Sequence, residues 1–333
     1  MSGVAGRKYL ITGGASLIGS HLTRALLDAG AAEVVLYDNL SLGSGAVVEA
    51  LQRDDRVRAV RGDVLRLPSL MDAMAGVDGV FALAAYLTLP LAADPPLGVE
   101  VNVMGALNIL EAARLLGGRK VVFASSIAVY GGEVHDEVTE ATPFRSNDVS
   151  AAFAAYASSK LLGESMGRLY AQKHGVPFCA VRFSTVYGEN QHGRGVNALY
   201  ILEALQAVRD GRAPTIRGSG AEAHDYLYAG DAAAGCVAAM ERGAPGEAYN
   251  LASGRSTSVN EIVAMVLEEY GSPLRPEHVA DTRRARSTEH DRLLISPAKA
   301  REALGWEAVV AVRDGVRRLR RWLDGLPDAP GRA

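Results

Sequence analysis

The chain has 333 residues, of which 48% are hydrophobic, and a formal net charge of -3. It is therefore long enough to bury a substantial core, and its charge gives no indication of nucleic-acid binding. Cys179 and Cys236 lie in apolar stretches, which predicts buried free thiols and neither a disulfide framework nor a metal site. The start MSGVAGRKYL has no signal-peptide pattern, and no apolar run approaches a membrane span. We expect a cytoplasmic protein without a membrane partner.

Residues 8 to 30, KYLITGGASLIGSHLTRALLDAG, predict a strand, a glycine-rich turn and a helix. The run YLI is typical of a buried strand, and from Leu17 the apolar residues recur at helical spacing. Such a start presents backbone N–H groups and the helix dipole to a pyrophosphate. Gly13 suits the tight turn and Gly19 permits close helix packing, whereas Ser16 replaces the middle glycine of the usual pattern. We expect the Ser16 side chain to narrow the approach of the phosphates.

Residues 32 to 43, AEVVLYDNLSLG, predict a second strand that ends at Asp38. This aspartate follows the glycines by about 20 residues, the distance at which a carboxylate binds the adenosine ribose hydroxyls. Because a carboxylate there would repel a 2'-phosphate, we expect NAD and not NADP. The alternative is that Asp38 and Asn39 only begin a turn. The preceding strand, turn and helix favour the cofactor interpretation.

Strand patterns alternate with helical ones over about the first 170 residues, which predicts a parallel, doubly wound Rossmann-type α/β sheet. The predicted strands are 8–12, 32–38, 57–61, 78–84, 119–125 and 176–184. Beyond Gly188 the loops are rich in Gly, Arg and Asn. We therefore expect a dinucleotide-binding domain over residues 1–188, with later returns near 225–253, and a smaller C-terminal lobe, mainly substrate-binding, over 189–333.

Tyr156 and Lys160 lie one helical turn apart in AAYASSKLLGE. Residues at this spacing share one helix face, so the Lys160 ammonium can favour the ionised form of the phenol and lower its pKa. A tyrosine with a lowered pKa can act as a general base near neutral pH.

The order and spacing of the motifs resemble the extended short-chain dehydrogenase/reductase family, specifically its NAD-dependent nucleotide-sugar epimerases and dehydratases. The resemblance runs from about residue 8 to residue 324. Its landmarks include TGGASLIG (12–19), YDNLSLG (37–43), NVMGALNILEA (102–112), SSIAVYG (125–131), YASSK (156–160), RFSTVYG (182–188) and HDYLYAGD (224–231).

The resemblance implies a set of site residues. Catalysis is assigned to Ser126, Tyr156 and Lys160, with Ser126 bonded to the C4 oxygen of the sugar. Arg182, Phe183 and Ser184 align with the segment that packs on nicotinamide. The implied NAD-binding residues are Gly13, Ser16, Leu17, Ile18, Gly19, Asp38, Asn39, Asp63, Val64, Leu83, Ala84, Asn102, Ser125, Tyr156, Lys160 and Phe183. The implied substrate-binding residues are Tyr86, Ser126, Tyr156, Thr185, His192, Asn197, Arg217, His224 and Arg286.

The resemblance also implies hydride transfer from C4 of a nucleotide-diphosphate sugar to NAD, which gives a 4-keto intermediate. Dehydratases of the family follow the Ser/Thr position with an Asp-Glu pair, and the decarboxylases place a glutamate at the second position, whereas this chain has Ile127 and Ala128. The apolar pair favours C4 epimerisation, because it offers no acid or base for elimination. Dehydration, decarboxylation and reduction of a 4-keto sugar remain alternatives, and a non-enzymatic NAD-binding module is disfavoured by the intact catalytic trio.

The substrate and the assembly are predicted in less detail. Thr185 resembles the threonine of uronic-acid epimerases, but His192 stands where those enzymes carry an arginine, which favours a neutral sugar unless Arg194 compensates. For the diphosphate, Arg217 and Arg286 are candidate clamps, and His224 replaces an arginine of the family. We expect a homodimer built on helices near 102–116 and 152–172, whose apolar stripe includes Leu161, Leu162, Met166, Leu169 and Tyr170.

Overall fold

The computed structural model describes residues 3–132, 137–146, 149–191, 199–280 and 294–325. The strands of these residues are β1 (Lys8–Thr12), β2 (Glu33–Asp38), β3 (Val57–Arg61), β4 (Gly79–Ala82), β5 (Lys120–Ser126), β6 (Phe178–Phe183), β7 (Thr185–Tyr187), β8 (Thr215–Arg217), β9 (Ala223–Tyr228), β10 (Ala248–Leu251), β11 (Ser256–Ser258) and β12 (Glu277–Val279).

The α-helices are α1 (Leu17–Asp28), α2 (Gly45–Leu51), α3 (Leu67–Met74), α4 (Thr88–Ala93), α5 (Pro95–Val99), α6 (Ala106–Leu115), α7 (Ala151–His174), α8 (Leu199–Arg209), α9 (Ala229–Arg242), α10 (Val259–Tyr270), α11 (Ala298–Leu304) and α12 (Val312–Asp324). A π-helical turn, Glu100–Gly105, precedes α6, and a 3₁₀ turn, Ile127–Tyr130, follows β5. In the described part of the chain, none of the helices has the length and apolar character needed to cross a bilayer.

Seven parallel strands form the main sheet in the order β10-β6-β5-β4-β1-β2-β3. The predicted doubly wound α/β fold is confirmed, and its six predicted strands agree with β1 to β6 within a few residues at each end. The order reverses between β1 and β4, and ligands bind at such a switch point, outside the carboxyl ends of the strands.

Both faces of this sheet are buried, because its central strands are apolar on both sides. All six residues of β6 and all four of β4 are buried, as is typical of parallel strands. One face packs on α1, α9 and α11, whose core residues include Leu22, Leu26 and Ala232. The other face packs on α3, α6 and α7, with Leu70 and Ile109 in its core.

Two glycines let α7 lie unusually close to the sheet. A Cβ on Gly163 would lie 2.5 Å from Cζ of Phe123, and one on Gly167 would lie 2.2 Å from Cζ of Phe178. These contacts are closer than packed atoms tolerate, so both positions require glycine. The approach brings the buried face of α7 against the ends of β5 and β6.

The C-terminal part of the chain forms a second core. Helices α8, α10 and α12 surround the small sheet β11-β9-β7, with Ile201, Ile262 and Leu319 fully buried. The chain also returns to the main sheet, because β10 pairs with β6 and α9 packs on α1. The division into domains at residue 188 stays a prediction.

Candidate active site

A cleft crosses the carboxyl ends of β1 to β6 at the switch point of the sheet. Every predicted cofactor residue except Gly19 and Asn102 lines it, as do Ser126 and Tyr86. The fold thus brings together residues from six separate strands and from α7. The carboxylates among the described residues that line this cleft are Asp38 and Asp63. Asp38 ends β2 and Asp63 follows β3.

The glycine-rich turn at one end of the cleft has the close backbone packing expected of it. Gly13 has a φ of +71°, and a Cβ there would lie 2.9 Å from the amide nitrogen of Ala84. A Cβ on Gly19 would lie 2.6 Å from the Gly14 carbonyl oxygen. Gly13 therefore shapes the turn, while Gly19 allows α1 to begin directly behind it.

Ser16 caps α1. Its Oγ accepts a hydrogen bond from the Gly19 amide at 3.1 Å, which satisfies one of the free donors of the first turn. The amides of Leu17 and Ile18 have no acceptor within the helix, and both residues line the cleft. The serine thus leaves two N–H groups and the positive end of the helix dipole for an anion. Ser16 lines the cleft, and its hydroxyl is directed to the helix.

Asp38 begins a turn and also faces the cleft, so the two interpretations of this residue are compatible. Its Oδ1 accepts from the Leu40 amide at 2.8 Å, and its Oδ2 accepts from the Ala15 amide at 3.0 Å. The second bond fixes the carboxylate against the glycine-rich turn. At the neighbouring strand end, Asn39 Nδ2 donates to Asp63 Oδ2 at 3.4 Å.

At the other end of the cleft Ser126, Tyr156 and Lys160 lie together. Burial raises the pKa of Tyr156 to about 12, although its hydrogen bond with Ser126 acts in the opposite direction. Burial also lowers the pKa of Lys160 to about 8, and the Glu164 carboxylate opposes that change. Lys160 Nζ donates to the Ala124 carbonyl at 2.8 Å and lies 5.8 Å from the centre of the Tyr156 ring.

The expectation that Lys160 lowers the pKa of Tyr156 was wrong. The ammonium is bonded to the backbone of β5 and lies over the face of the ring, so desolvation of the phenol dominates. The two residues share one helix face as predicted. A further positive charge in the cleft would lower the pKa of the phenol.

Asn102 lies behind the cleft surface. Its Nδ2 donates to the Tyr86 carbonyl at 2.9 Å and to Ser159 Oγ at 3.1 Å, while its Oδ1 accepts from the Tyr86 amide at 2.7 Å. The side chain is buried in the π-helical turn, a local irregularity that is frequent at functional sites. These contacts fix Tyr86, which does line the cleft, and the cofactor-binding role of Asn102 stays a prediction.

The segment after β6 is split between the cleft and the interior. Phe183 and Ser184 line the cleft, in keeping with the alignment of this segment. Arg182 does not, because its side chain is turned into the protein and forms an ion pair with Glu164 at 2.7 Å. Side chains alternate in direction along a strand, so Arg182 and Phe183, the last two residues of β6, face opposite sides.

The wall around Tyr156 is apolar. Leu91, Ala128 and Ala157 are buried against it, and the partly buried side chains packed on this group are Tyr86, Leu87, Phe144 and Phe153. Ala128 is thus a packed residue beside the phenol. Among the described residues that line the cleft, no carboxylate lies at this end.

Three of the predicted substrate ligands of the C-terminal part belong to the described residues. Thr185 is half-buried on β7, paired with Tyr226, and Arg217 ends β8. His224 lies on β9 with its ring 5.9 Å from that of Tyr226. None of these three lines the cleft. His192, Arg194, Asn197 and Arg286 lie outside the described residues.

Several lining residues were missed by the sequence analysis. The loop after β2 contributes Ser41, Leu42 and Gly43, and the loop after β7 contributes Asn190 and Gln191. A Cβ on Gly43 would lie 2.7 Å from Cβ of Ala15, so this loop packs tightly on the glycine-rich turn. The repeated glycines in the motif SLGSG were the available signal.

The loop after β7 is tied to the cofactor-side helix. Asn190 Nδ2 donates to Ser20 Oγ at 3.2 Å, and His21 Nε2 lies 3.1 Å from the Glu189 carbonyl oxygen. Both partners belong to α1, which begins at the glycine-rich turn. These contacts are long-range in sequence, so no local pattern could have predicted them.

A cleft of this kind, at the switch point of a doubly wound sheet and beside a helical Tyr-Lys pair, defines an extended short-chain dehydrogenase/reductase. The family model of GDP-mannose 4,6-dehydratase matches residues 10–319, and the chain belongs to that family.

The chain is similar to both epimerases and dehydratases. It is 32% identical to the UDP-glucose 4-epimerase of Mycolicibacterium smegmatis, over 93% of this chain and 96% of that one. It is 28% identical to the dTDP-glucose 4,6-dehydratase of Streptomyces griseus, with coverages of 94% and 93%. Among solved structures, the NAD complex of the Thermus thermophilus UDP-glucose 4-epimerase superposes with a TM-score of 0.82 at 29% identity, over 96% and 99% of the two chains.

Proposed function

We propose that this protein catalyses the NAD-dependent C4 epimerisation of a nucleotide-diphosphate sugar through a 4-keto intermediate. The observation that carries the proposal is that one end of the cleft combines a catalytic trio with an apolar pair of residues. Ser126, Tyr156 and Lys160 lie together, while Ile127 and Ala128 stand where elimination and decarboxylation would need carboxylates.

The residues of the cleft fit NAD. The free amides of Leu17 and Ile18 suit the pyrophosphate, and the fixed carboxylate of Asp38 suits the ribose hydroxyls. Ser126, Tyr156 and Lys160 lie farther along the same cleft, where they would face the nicotinamide. A 2'-phosphate would meet the charge of Asp38, so NAD is favoured over NADP.

When bound, NAD would supply the acceptor for the hydride from C4 of the sugar and, in its oxidised form, a positively charged ring. A positive charge beside Tyr156 lowers the pKa of the phenol, which burial otherwise holds at about 12. Tyr156 then takes the proton from the C4 hydroxyl, and Ser126 orients that oxygen. Lys160 holds the ribose and the phenolate in place. After the ketone has presented its other face, its C4 carbon regains the hydride and its oxygen regains the proton from Tyr156, which completes the cycle.

The apolar wall separates this reaction from dehydration. Water elimination requires a base for the C5 proton and an acid for the leaving hydroxyl. Ala128 is buried in the cluster around Tyr156, and the lining carboxylates of the described residues, Asp38 and Asp63, belong to the opposite end. A 4-keto intermediate that stays in the cleft is therefore expected to take the hydride back at C4.

Product analysis tests the proposal. Purified protein is incubated with UDP-, GDP- and dTDP-sugars, and the products are identified by mass spectrometry and chromatography. An epimer has the mass of its substrate, and no NADH is consumed. A product lighter by water supports dehydration, one lighter by carbon dioxide supports decarboxylation, and stoichiometric use of NADH supports ketoreduction. Neutral sugars are expected to be better substrates than uronic acids.

We also propose a homodimer. Part of the predicted stripe on α7 packs internally, because Leu161, Met166 and Tyr170 contact the protein's own core. The large apolar side chains that stay exposed on α5, α6, α7 and the π-helical turn are Val99, Met104, Leu115, Leu162 and Leu169. An exposed apolar patch on paired helices is typical of an interface that forms a four-helix bundle.

Light scattering measures this assembly. The wild type is expected to have the mass of a dimer at micromolar concentration, and Leu162→Lys is expected to shift it to monomer. Val309→Lys is the control, because Val309 is 77% exposed on a different part of the surface. A monomeric wild type, or a dimer unaffected by charge at Leu162, contradicts the proposal.

A further inference from the structure

A buried ion pair lies directly behind the proposed catalytic residues and is not used in the mechanism above. Glu164 and Arg182 have side chains that are 1% and 8% exposed. Arg182 Nε donates to Glu164 Oε1 at 2.9 Å, and its Nη2 donates to Oε2 at 2.7 Å. This two-point geometry is the strongest form of an arginine–carboxylate contact.

The Glu164 carboxylate has a third partner on the strand that ends in the site. Ser125 Oγ donates to Glu164 Oε1 at 2.6 Å. Ser125 lines the cleft and immediately precedes Ser126. Glu164 is therefore hydrogen-bonded to the residue that immediately precedes the proposed catalytic serine.

Three consecutive residues of β5 bond to three residues of α7 that are spaced four apart. The Ala124 carbonyl accepts from Lys160, Ser125 donates to Glu164, and Ser126 is hydrogen-bonded to Tyr156. Residues spaced by four share one helix face, and Gly163 brings that face onto the sheet. These side chains thus fix the position of α7 relative to the end of β5, with one contact from each of three successive turns of the helix.

Arg182 is itself fixed, so it can hold the carboxylate in one orientation. Its Nη1 donates to Tyr130 Oη at 2.9 Å and to the Glu140 carbonyl at 3.2 Å. On the sheet, Arg182 is the β6 partner of Ser125. A buried carboxylate without such a partner is strongly destabilised, so the two residues act as a unit.

We infer that Glu164, held by Arg182, is a positioning residue of the active site, which fixes the end of β5 against α7 and places a negative charge beside Lys160. The charge keeps the ammonium protonated against the effect of burial, since Glu164 raises the pKa that desolvation lowers. The effect on turnover rests on the proposed function. The effect on Lys160 does not.

The test follows the ionisation of Lys160 directly. Lysines react with acetic anhydride only when neutral, so labelling at Lys160, read by peptide mass spectrometry across pH, reports its titration. The wild type is expected to reach half-labelling near pH 8. Glu164→Gln removes the charge and is expected to reach it about one pH unit lower or more. Glu164→Asp keeps the charge and is expected to titrate close to the wild type.

Turnover tests the positioning role with the same proteins. Glu164→Gln is expected to lower kcat by about 10-fold or more while KM changes by less than about threefold. Glu164→Asp is expected to lower kcat as well, because the shorter side chain does not reach Ser125 and Arg182 together. Glu33→Gln is the matched control. Glu33 also pairs with two cations, Lys8 and Arg58, but lies at the amino end of β2.

The inference is overturned if Lys160 titrates identically in the wild type and Glu164→Gln, or if kcat falls no further than in Glu33→Gln. If Glu164→Gln does not fold, Glu164→Asp decides: an unchanged kcat overturns the positioning role. A wild type without epimerase activity contradicts the proposed function, whereas the labelling experiment still tests the link between Glu164 and Lys160.

Discussion

Replacing Lys160 by methionine should stabilise the fold while it removes activity. Burial lowers the pKa of this lysine from 10.5 to about 8. The charged amine in the folded protein therefore costs about 3 kcal/mol at neutral pH. Methionine fills similar space without charge and loses one hydrogen bond, from Nζ to the Ala124 carbonyl, worth about 1 kcal/mol. We expect the free energy of unfolding at pH 7 to increase by about 2 kcal/mol.

The pH dependence of this gain follows from the direction of the shift. The pKa of Lys160 is lower in the folded than in the unfolded state, so the penalty is complete below about pH 8. It disappears as the pH rises through 10.5, where the lysine becomes neutral in both states. The advantage of Lys160→Met should therefore fall close to zero at about pH 10.

Urea unfolding followed by circular dichroism at pH 7 and pH 10 measures both effects. Lys299→Met is the control, because Lys299 forms a surface ion pair with Glu247. Its free energy of unfolding should change by less than about 1 kcal/mol at either pH. The reasoning would be refuted if Lys160→Met were less stable than the wild type at pH 7. It would also be refuted if the gain in the free energy of unfolding were the same at pH 7 and pH 10.

Three further substitutions test other parts of the site. Asp38→Ala should weaken NAD binding by about 10-fold or more and reduce the preference for NAD over NADP; calorimetry that still shows the wild-type preference would contradict the role of this carboxylate. Gly163→Ala should lower the free energy of unfolding by about 1–3 kcal/mol, because its Cβ would lie 2.5 Å from Phe123. Gly45→Ala, with open space around it, serves as the control, and equal stabilities would argue against the close packing of α7. Tyr156→Phe should lower kcat by roughly 100-fold or more with an unchanged Kd for NAD, so a modest loss of turnover would exclude Tyr156 as the base.

The sheet could be predicted from sequence because its signals are local. Short apolar runs, a glycine-rich turn and helical periodicity each lie within about a dozen residues. The ends of the strands then place Asp38, Ser126 and Phe183 at one edge, since the carboxyl ends of parallel strands meet there. The cleft and most of its lining residues follow from that arrangement.

The side-chain directions and the electrostatics could not be predicted in the same way. The side chains of Asn102 and Arg182 bond to Tyr86 and Glu164, partners that the local sequence around either residue does not indicate. The pKa of Tyr156 depends on how completely residues from other parts of the chain bury the phenol, which helical spacing does not report. These features arise from contacts between distant parts of the chain.

The C-terminal part was the least predictable. Thr185, Arg217 and His224 were assigned by alignment with family motifs, yet they lie on the small sheets beside the second core. Whether the half-buried side chains of Arg217 and His224 approach a ligand depends on how that core packs against the first. No local pattern encodes the packing.

The fate of the C4 hydrogen tests the account most directly. UDP-glucose or dTDP-glucose carrying deuterium at C4 is incubated with the purified protein, and the product is examined by nuclear magnetic resonance. Epimerisation removes the deuteride to NAD and returns it to the same carbon, so the account predicts a C4 epimer of unchanged mass that keeps the label at C4. A 6-deoxy-4-keto product with the label at C6, or an epimer whose C4 label is lost to solvent, would contradict it.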